Sequence, residues 1–352
     1  MVRWARPFAL VLIWSCGRLD FDATTGDPVG GAQSLLRLDR LDPGEVLVDF
    51  PLPVVLDDAH APRDLLDSTA SNLRFLDADG NVLASEIEQV GASGGLPLVA
   101  WVRVPQIVGT STTLAIEFGG TLPTPSVISV WGPSYEAVYH LSDGATDATA
   151  NHHDGAVFSA SNPIVTIGGA IASCQSFANG PNAYVIPDSA AFDLPQLTVS
   201  GWIQSSASNS YHTLVGRSVT VSNFDDFWLG THAGKLRVEV TRIPTTDIGF
   251  DTGTVSTTWT HLAMTADSSE LTPYIDGVVG AQMSPTGADV QHDPTPIVIG
   301  ADEESSTLPN MNFLDGAADE IRIEHGVRSA KWIRYDDQAQ RDLVISYGTV
   351  GR

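Results

Sequence analysis

Short alternating segments separated by turn residues fill most of the sequence after residue 196. Examples are Leu197–Ile203, Trp259–Thr265 and Leu271–Gly277, with Gly, Asp, Ser and Pro concentrated between them. Alternation with a period of two indicates β-strands, and many short strands joined by such turns indicate a β-sandwich or barrel. We therefore predict that the chain has an all-β fold.

The segment Phe313–Glu324 combines a strand pattern with a chemically unusual residue. Strand periodicity predicts that Asp319 lies on the same face as Ile321 and Ile323, which belong in a hydrophobic core. A buried carboxylate without a partner is unfavourable, so Asp319 needs a cation, a metal ion or several backbone N–H donors. The opposite face is charged and is expected to lie in solvent. That face consists of Glu320, Arg322 and Glu324.

Several motifs of the C-terminal half occur in a recognisable order. They are Ser176 with Phe177, Tyr184–Asp188, Thr198–Trp202, Trp259–Leu262, Tyr274–Gly277 and Asp315–Ile323. In this order they resemble the bacterial laminin-G-like, concanavalin A-like jelly roll, and the resemblance covers about residues 136–348. It implies a β-sandwich. Because this fold hosts enzymes as well as binding modules, it implies no single function.

The resemblance also implies a metal site. In laminin-G-like and glucanase relatives, an aspartate at this place in the last long strand often helps to hold a structural calcium ion, together with backbone carbonyls of an early loop. The matching residues here are Asp319, Asn179 and Gly180, with Asp143 as a looser candidate. Calcium takes six to eight oxygen ligands, which carbonyls, water and one carboxylate can supply. The alternative, in which Asp319 accepts backbone hydrogen bonds without a metal, stays open.

A second unit is expected over residues 37–135. Asp49–Asp57 is predicted to be an edge strand because it contains prolines, and Asn72–Asn81 runs into an Asp-Gly turn that predicts a hairpin with Val82–Glu88. These segments resemble an uncharacterised bacterial domain of unknown function that commonly precedes laminin-G-like modules. We predict a second β-sandwich here. The short join at residues 130–141 predicts that the two domains touch.

Residues 1–15 have the order of a bacterial lipoprotein signal peptide: a basic start, the apolar run Phe8–Trp14 and then a cysteine. Ile13–Cys16 resembles a lipobox, which predicts that Cys16 carries two acyl chains and anchors the protein stably to a membrane. An ordinary signal peptide is the alternative. Residues 16–36 are expected to be a flexible tether. The resemblance places the protein in the cell envelope, at the outer membrane or the cell surface.

Acidic residues dominate the charge of the chain. Asp and Glu number 42 against 18 Lys and Arg, which gives a formal net charge of −24. Such a chain repels the phosphates of nucleic acids and anionic membrane surfaces, so nucleic acid is not an expected partner. Divalent cations and neutral ligands such as sugars suit it better. Acidity that only maintains solubility explains the charge equally well.

A pair of carboxylates raises the question of glycoside hydrolysis. Glu86 and Glu88 are two residues apart and face the same way on a strand, and paired carboxylates are what this reaction needs. Concanavalin A-like glucanases instead use Glu-x-Asp-x-x-Glu on one jelly-roll strand, and residues 136–352 lack that pattern. We therefore interpret the pair as a solvent-exposed strand face and predict no catalytic residues.

Other candidate residues fit structural roles better. His152, His153 and Asp154 have no further ligand at zinc spacing and are interpreted as loop polarity. Cys174 lies in an apolar run and is predicted to be a buried thiol without a disulfide partner. Aromatic side chains can stack on sugars, but in a jelly roll they more often pack in the core or in loops. The aromatic candidates are Trp202, Tyr211, Phe227 and Trp228.

Together these patterns predict a lipid-anchored bacterial surface protein with a non-catalytic binding role, in which the jelly roll recognises a glycan or a surface protein. This functional step rests on the resemblance of the fold rather than on identified site residues. A glycoside hydrolase or lyase of the same fold is one alternative, and a structural envelope protein is another.

Overall fold

The computed structural model describes residues 32–119, 130–158, 163–177, 180–206, 208–219, 224–243, 246–284, 290–303 and 309–351. The predicted signal peptide, Cys16 and most of the predicted tether lie outside the described residues. The regular secondary structure of the described part is almost entirely β-strand, with one α-helix and two 3-10 turns at Arg63–Leu65 and Ala190–Phe192, so the all-β prediction is confirmed. None of its helices is long and apolar enough to span a bilayer.

The first six strands belong to an N-terminal sandwich. They are β1 (Ala32–Leu38), β2 (Leu47–Leu56), β3 (Leu73–Leu76), β4 (Ser85–Gln89), β5 (Leu98–Ile107) and β6 (Thr112–Phe118). The elements that follow build a C-terminal sandwich and the end of the chain. They are β7 (Tyr135–Tyr139), β8 (Ala156–Phe158), β9 (Val165–Gly168), β10 (Ser173–Phe177), β11 (Ala183–Ile186), β12 (Leu197–Ser205), β13 (Tyr211–Val219), β14 (Phe224–His232), β15 (Lys235–Arg242), β16 (Thr246–Thr252), β17 (Thr260–Ala266), β18 (Leu271–Ile275), β19 (Val278–Val279), β20 (Ile297–Ile299), β21 (Gly316–His325), α1 (Ala330–Gln340) and β22 (Ser346–Tyr347).

The N-terminal sandwich packs a sheet of order β22-β1-β6-β3 on a sheet of order β2-β5-β4. β2 lies at a sheet edge, as its prolines predicted. The predicted hairpin is wrong: β3 pairs with β6 and β4 pairs with β5, so the two segments enter different sheets and share a single bridge, Leu76–Val82. The predicted tether is wrong for residues 32–36, which form part of β1 with Leu36 fully buried.

The C-terminal sandwich has one sheet of order β19-β18-β17-β12-β21-β10-β9, with β7 also paired to β21. Its second sheet has the order β16-β15-β14-β13-β20-β11-β8. The inward side chains of both sheets meet in one hydrophobic core, which includes Val199, Leu229, Val238, Ile299 and Ile321. The alternating sequence pattern explains this core, because every second residue of a strand faces the opposite sheet.

β21 contains a bulge that changes which residues face this core. Between the pairs Trp202–Asp319 and Ser200–Arg322, two residues of β21 oppose one residue of β12. The extra residue shifts the alternation, so Ala318 rather than Asp319 joins the two isoleucines of β21 in the core. The predicted orientation of Asp319 is therefore wrong.

Helix α1 lies between the two sandwiches. The rings of Trp332 and Tyr335 pack on Phe50 of β2, at centroid distances of 5.1 and 5.3 Å. On its other side, Gln340 accepts a hydrogen bond of 2.6 Å from the indole N–H of Trp202 on β12. β22 then pairs with β1, so the end of the chain completes the N-terminal sandwich.

We expect Trp332→Ala to destabilise the whole described structure by about 3–5 kcal/mol, because it removes a buried aromatic ring between the sandwiches. Leu343→Ala is the control, since Leu343 is an exposed apolar residue of the same C-terminal segment, and its effect should stay within about 0.5 kcal/mol. Urea unfolding of both variants measures the difference. An equal loss of unfolding free energy in both variants would show that the contacts of Trp332 on α1 do not stabilise the packing of the two sandwiches.

Candidate binding cleft between the two sandwiches

A cleft of about 470 Å³ opens where the two sandwiches meet. β4 forms one wall, and the segment after β7 together with the start of β10 forms the other. Its described lining contains carboxylates, an imidazole, an amide and hydroxyl groups, without a Lys or Arg side chain. The charged or amide-bearing residues of the lining are Glu86, Glu88, Gln89, His140 and Asp143.

Beside the cleft, the strand that pairs with one edge of β21 changes from β10 to β7. It pairs with β10 through Gly316–Ala318 and with β7 from Ile321 onward, so Asp319 and Glu320 lie between the two partners. Glu320 has a φ of +51°, in the left-handed region that non-glycine residues adopt only at a cost. Its carboxylate reaches His140, directly after β7, at 2.7 Å.

The face of β21 that the sequence predicted to be exposed is buried. Glu320, Arg322 and Glu324 are only 1%, 1% and 3% exposed. Arg322 donates hydrogen bonds to Asp336 of α1 at 2.9 Å and to Glu320 at 3.2 Å, and its guanidinium lies 4.7 Å from the ring centre of Trp101. The prediction failed because α1 and the N-terminal sandwich cover this face, and strand periodicity carries no information about such a cover.

His140 lies at the centre of three carboxylates. Its Nδ1 atom is 2.7 Å from Glu320 Oε1 and 3.8 Å from Glu88 Oε2, and its Nε2 atom is 3.6 Å from Glu86 Oε2. The indole of Trp101 stacks on the imidazole with a centroid distance of 5.6 Å. The ring is therefore fixed in orientation with both nitrogens facing acids.

Glu86 and Glu88 do not form the solvent-exposed face predicted from the sequence. Their side chains are 19% and 1% exposed. Each accepts a hydrogen bond from an indole N–H: Glu86 from Trp131 at 2.9 Å and Glu88 from Trp101 at 2.8 Å. These bonds direct both carboxylates toward the imidazole of His140.

Burial and the neighbouring charges shift the pKa of several groups in this cluster. Burial and the neighbouring Glu320 carboxylate raise the pKa of Glu88 to about 8. Burial and the carboxylates of Glu320 and Glu88 raise the pKa of Asp319 well above its ordinary value. Burial alone would lower the pKa of His140, but the same two glutamates outweigh it and raise that pKa. The pKa of Glu320 is lowered, because His140 and Arg322 outweigh its burial.

Asp319 binds the loop before β10 through backbone donors. Its Oδ2 atom accepts hydrogen bonds from the N–H groups of Ala170 at 2.7 Å and Ile171 at 3.3 Å. A Cβ atom at Gly169 would lie 2.3 Å from Oδ2, so glycine is needed for this close approach. Within the described residues, Asp319 Oδ1 has no hydrogen-bond partner.

The other residues of the predicted calcium site are only partly described. Asn179 lies outside the described residues. The Gly180 carbonyl accepts a hydrogen bond of 2.7 Å from the N–H of Asn182, and Asp143 lines the cleft. The N–H groups of residues 170 and 171 donate hydrogen bonds to Asp319. This arrangement corresponds to the second possibility left open by the sequence, in which backbone donors satisfy Asp319 without a metal. Calcium at Asp319 stays a prediction.

Cysteine and histidine candidates have structural roles in the fold. Cys174 is buried, as predicted, and burial raises its pKa to about 12, which makes it a poor nucleophile. His153 lies 3.0 Å from a carboxylate oxygen of Glu136, and Asp154 accepts a hydrogen bond of 2.9 Å from the N–H of Asp147. These contacts support the interpretation of residues 152–154 as an ordinary polar loop.

Three of the four aromatic candidates are buried, in agreement with core packing: Trp202, Phe227 and Trp228. Tyr211 is half-buried and lines a second groove of about 360 Å³ on the C-terminal sandwich, together with Phe313. This groove is the one place where the structure presents an aromatic candidate to a ligand within the described residues.

Sequence reasoning missed His140, Glu320 and Arg322 as members of a site. One signal was present, because His140 is a polar residue in the otherwise apolar end of the short join at residues 130–141. The join predicted contact between the domains, and a histidine at such a contact needs hydrogen-bond partners. The identity of those partners follows from the fold alone.

The raised pKa values predict that stability falls as the pH rises. Glu88 titrates near 4.5 in the unfolded chain and at about 8 in the folded protein, so the folded protein binds this proton more tightly. The resulting stabilisation is complete below about pH 4.5 and is lost as the pH rises to about 8, by up to about 1.4 kcal/mol per pH unit. His140 and Asp226 shift in the same direction. Urea unfolding in buffer with chelator measures the slope.

Glu88→Gln is the matched variant for this prediction. The amide imitates the protonated carboxyl group and does not titrate, so the decrease of stability between about pH 5 and pH 8 should be smaller. Asp143→Asn, at the exposed rim of the same cleft, should keep the wild-type slope. A wild-type stability that rises over this interval would contradict the buried charge network.

Solved structures similar to this chain include binding domains of bacterial toxins. The binding domain of Paraclostridial Mosquitocidal Protein 1 is 14% identical with a TM-score of 0.47, covering 58% of this chain and 52% of that one. The receptor binding domain of botulinum neurotoxin D is 13% identical with a TM-score of 0.44, covering 59% and 53%. The chain thus spans about half the length of these toxin domains.

A carbohydrate-associated domain is also similar. Domain 4 of AbnA, a GH43 extracellular arabinanase from Geobacillus stearothermophilus solved with arabinotriose, is 21% identical with a TM-score of 0.42, covering 60% of this chain and 98% of that one. No curated protein matches the chain.

The C-terminal sandwich also matches a family model. Residues 178–334 match the Concanavalin A-like lectin/glucanases superfamily, from just after β10 into the first half of α1. This range lies inside the region 136–348 over which the sequence motifs resemble a jelly roll, so that prediction is confirmed. Residues 178–334 therefore form a domain of the concanavalin A-like lectin/glucanase superfamily.

Proposed function

We propose that this protein is a lipid-anchored envelope protein that binds a glycan where its C-terminal, jelly-roll sandwich borders the cleft, and that it does not hydrolyse the glycan. The observation that carries the proposal is the match of residues 178–334 to a superfamily of lectins and glucanases. Because that superfamily contains both binding proteins and hydrolases, the choice between the two rests on the carboxylates of this chain.

The cleft suits a neutral carbohydrate. Asp143 and Thr146 are exposed at its rim, and Gln89 and Ser173 are partly exposed and hydrogen-bonded to each other at 3.3 Å. Such carboxylate, amide and hydroxyl groups exchange hydrogen bonds with sugar hydroxyls. Since the described lining has carboxylates but no Lys or Arg, it repels sugars that carry carboxylate or sulfate groups.

The paired glutamates support binding rather than hydrolysis. A glycosidase needs two carboxyl groups that reach the scissile bond from the substrate side. Here the side chain of Glu88 is buried, and indole N–H groups hold both Glu86 and Glu88 against His140. The raised pKa of Glu88 is the one feature of the pair that would suit a general acid. Hydrolysis of the glycan is therefore measured together with binding.

Glycan binding should be lost when the rim of the cleft is changed. We expect Asp143→Ala to weaken binding by about tenfold or more for the neutral glycans that the full-length chain selects on an array, because hydrogen bonds to a charged group contribute about 1.5–3 kcal/mol. Tyr211→Ala, in the second groove, is the control and should bind as the wild type does. Calorimetric titration with the selected glycan measures both variants.

Three results would change the proposal. Loss of binding in Tyr211→Ala with Asp143→Ala unaffected would place the glycan in the second groove. Binding of a surface protein with no glycan retained on the array would replace the ligand class. Release of reducing sugar that Glu88→Gln abolishes would establish a hydrolase.

The anchor has a separate test. Cys16→Ser should move the protein from the membrane fraction to the soluble fraction, because the two acyl chains provide the stable attachment. Ser15→Ala keeps a small residue before the cysteine and should leave the protein in the membrane fraction. An unchanged detergent partition of Cys16→Ser would contradict the lipoprotein assignment.

A further inference from the structure

The carboxylates around His140 outnumber the cationic groups that face them. Glu86, Glu88 and Glu320 approach its imidazole at 3.6, 3.8 and 2.7 Å. Within the described residues, Arg322 is the cation that pairs with one of these acids, and it also pairs with a carboxylate of α1. Buried charge of one sign is unfavourable unless it is compensated. The cluster is therefore suited to bind a positive charge.

Three of these groups have the geometry of metal ligands. One donor atom each from Glu88, His140 and Glu320 lies within 4.8 Å of the other two. Within the described part of the chain, Glu88 Oε1 has no hydrogen-bond partner although the side chain is buried. The cleft borders both Glu88 and His140, so water can reach a further coordination position. Three protein ligands with an open fourth position are typical of accessible zinc sites.

Neighbouring groups orient these three residues as in established metal sites. An indole N–H occupies Oε2 of Glu88 and leaves Oε1 without a hydrogen-bond partner within the described residues. Glu320 accepts from Arg322 at Oε2, so its Oε1 faces His140. Nδ1 of His140 shares a proton with Glu320 Oε1 at 2.7 Å, and a metal ion that displaced this proton would take its place between the two atoms. Glu86 lies 3.6 Å from the other ring nitrogen, Nε2. Metal-binding histidines commonly have a carboxylate at their second nitrogen.

We propose that Glu88, His140 and Glu320 bind a divalent transition-metal ion, for which zinc is the test metal. Imidazole and carboxylate donors together suit zinc. Calcium takes six to eight oxygen ligands, so it is expected to bind this cluster less tightly. The site goes beyond the proposed glycan binding and does not depend on it.

Calorimetric titration of the full-length chain, purified in detergent and treated with chelator, tests the site with zinc chloride and compares calcium chloride. We expect one zinc ion per chain and a higher melting temperature with zinc, since the ion binds the folded state. Glu88→Gln keeps the shape of the side chain but removes an anionic ligand, and it should weaken zinc binding by about 100-fold or more. Asp143→Asn, in the same cleft but outside the cluster, should bind zinc like the wild type.

Two further measurements separate loss of the site from loss of the fold. In chelator, Glu88→Gln should melt at or above the wild-type temperature, because the amide replaces a buried acid. Cobalt(II) should produce a visible absorption band in the wild type that Glu88→Gln lacks. Absence of zinc binding, zinc binding that Glu88→Gln leaves unchanged, or tighter binding of calcium than of zinc would overturn the proposal. None of these results depends on a glycan.

Discussion

The two sandwiches meet at Arg322, whose buried positive charge is neutralised by acidic side chains and covered by an aromatic ring. Glu320 on the same strand and Asp336 on α1 accept its hydrogen bonds, and Trp101 of the N-terminal sandwich covers its guanidinium. Removing one partner from a buried ion pair typically costs about 3–5 kcal/mol, because a charge remains without compensation. Each sandwich therefore supplies part of the environment that the other requires, and α1 is fixed between them.

The cleft follows from the same interface. A bulge and an exchange of strand partners on β21 place Glu320 beside His140, and the N-terminal sandwich adds Glu86 and Glu88 on the other side. Carboxylates that are close together and shielded from water hold protons or cations more tightly than separate ones do. The charge of the cluster thus connects the architecture to both the pH dependence of stability and the proposed metal site.

The sequence predicted the fold well and the site poorly, for physical reasons. Alternation in Leu197–Ile203 identified a strand because local periodicity reflects burial on one side. The same rule failed on β21, where one extra residue displaced Asp319 from the core face and a second domain covered Glu320. Glu86 and Glu88 were recognised as a pair, but their burial depends on contacts with His140 that are distant in the chain. Such contacts leave no local signal.

The buried charged face of β21 joins the two sandwiches, which are therefore expected to unfold as one cooperative unit. Differential scanning calorimetry of the full-length chain in chelator tests this expectation most directly. A single transition, with equal calorimetric and van't Hoff enthalpies, is predicted, because neither sandwich can unfold without exposing Arg322 and its partners. Two separate transitions would contradict the account, since each sandwich would then be stable without the charged face of β21 being covered.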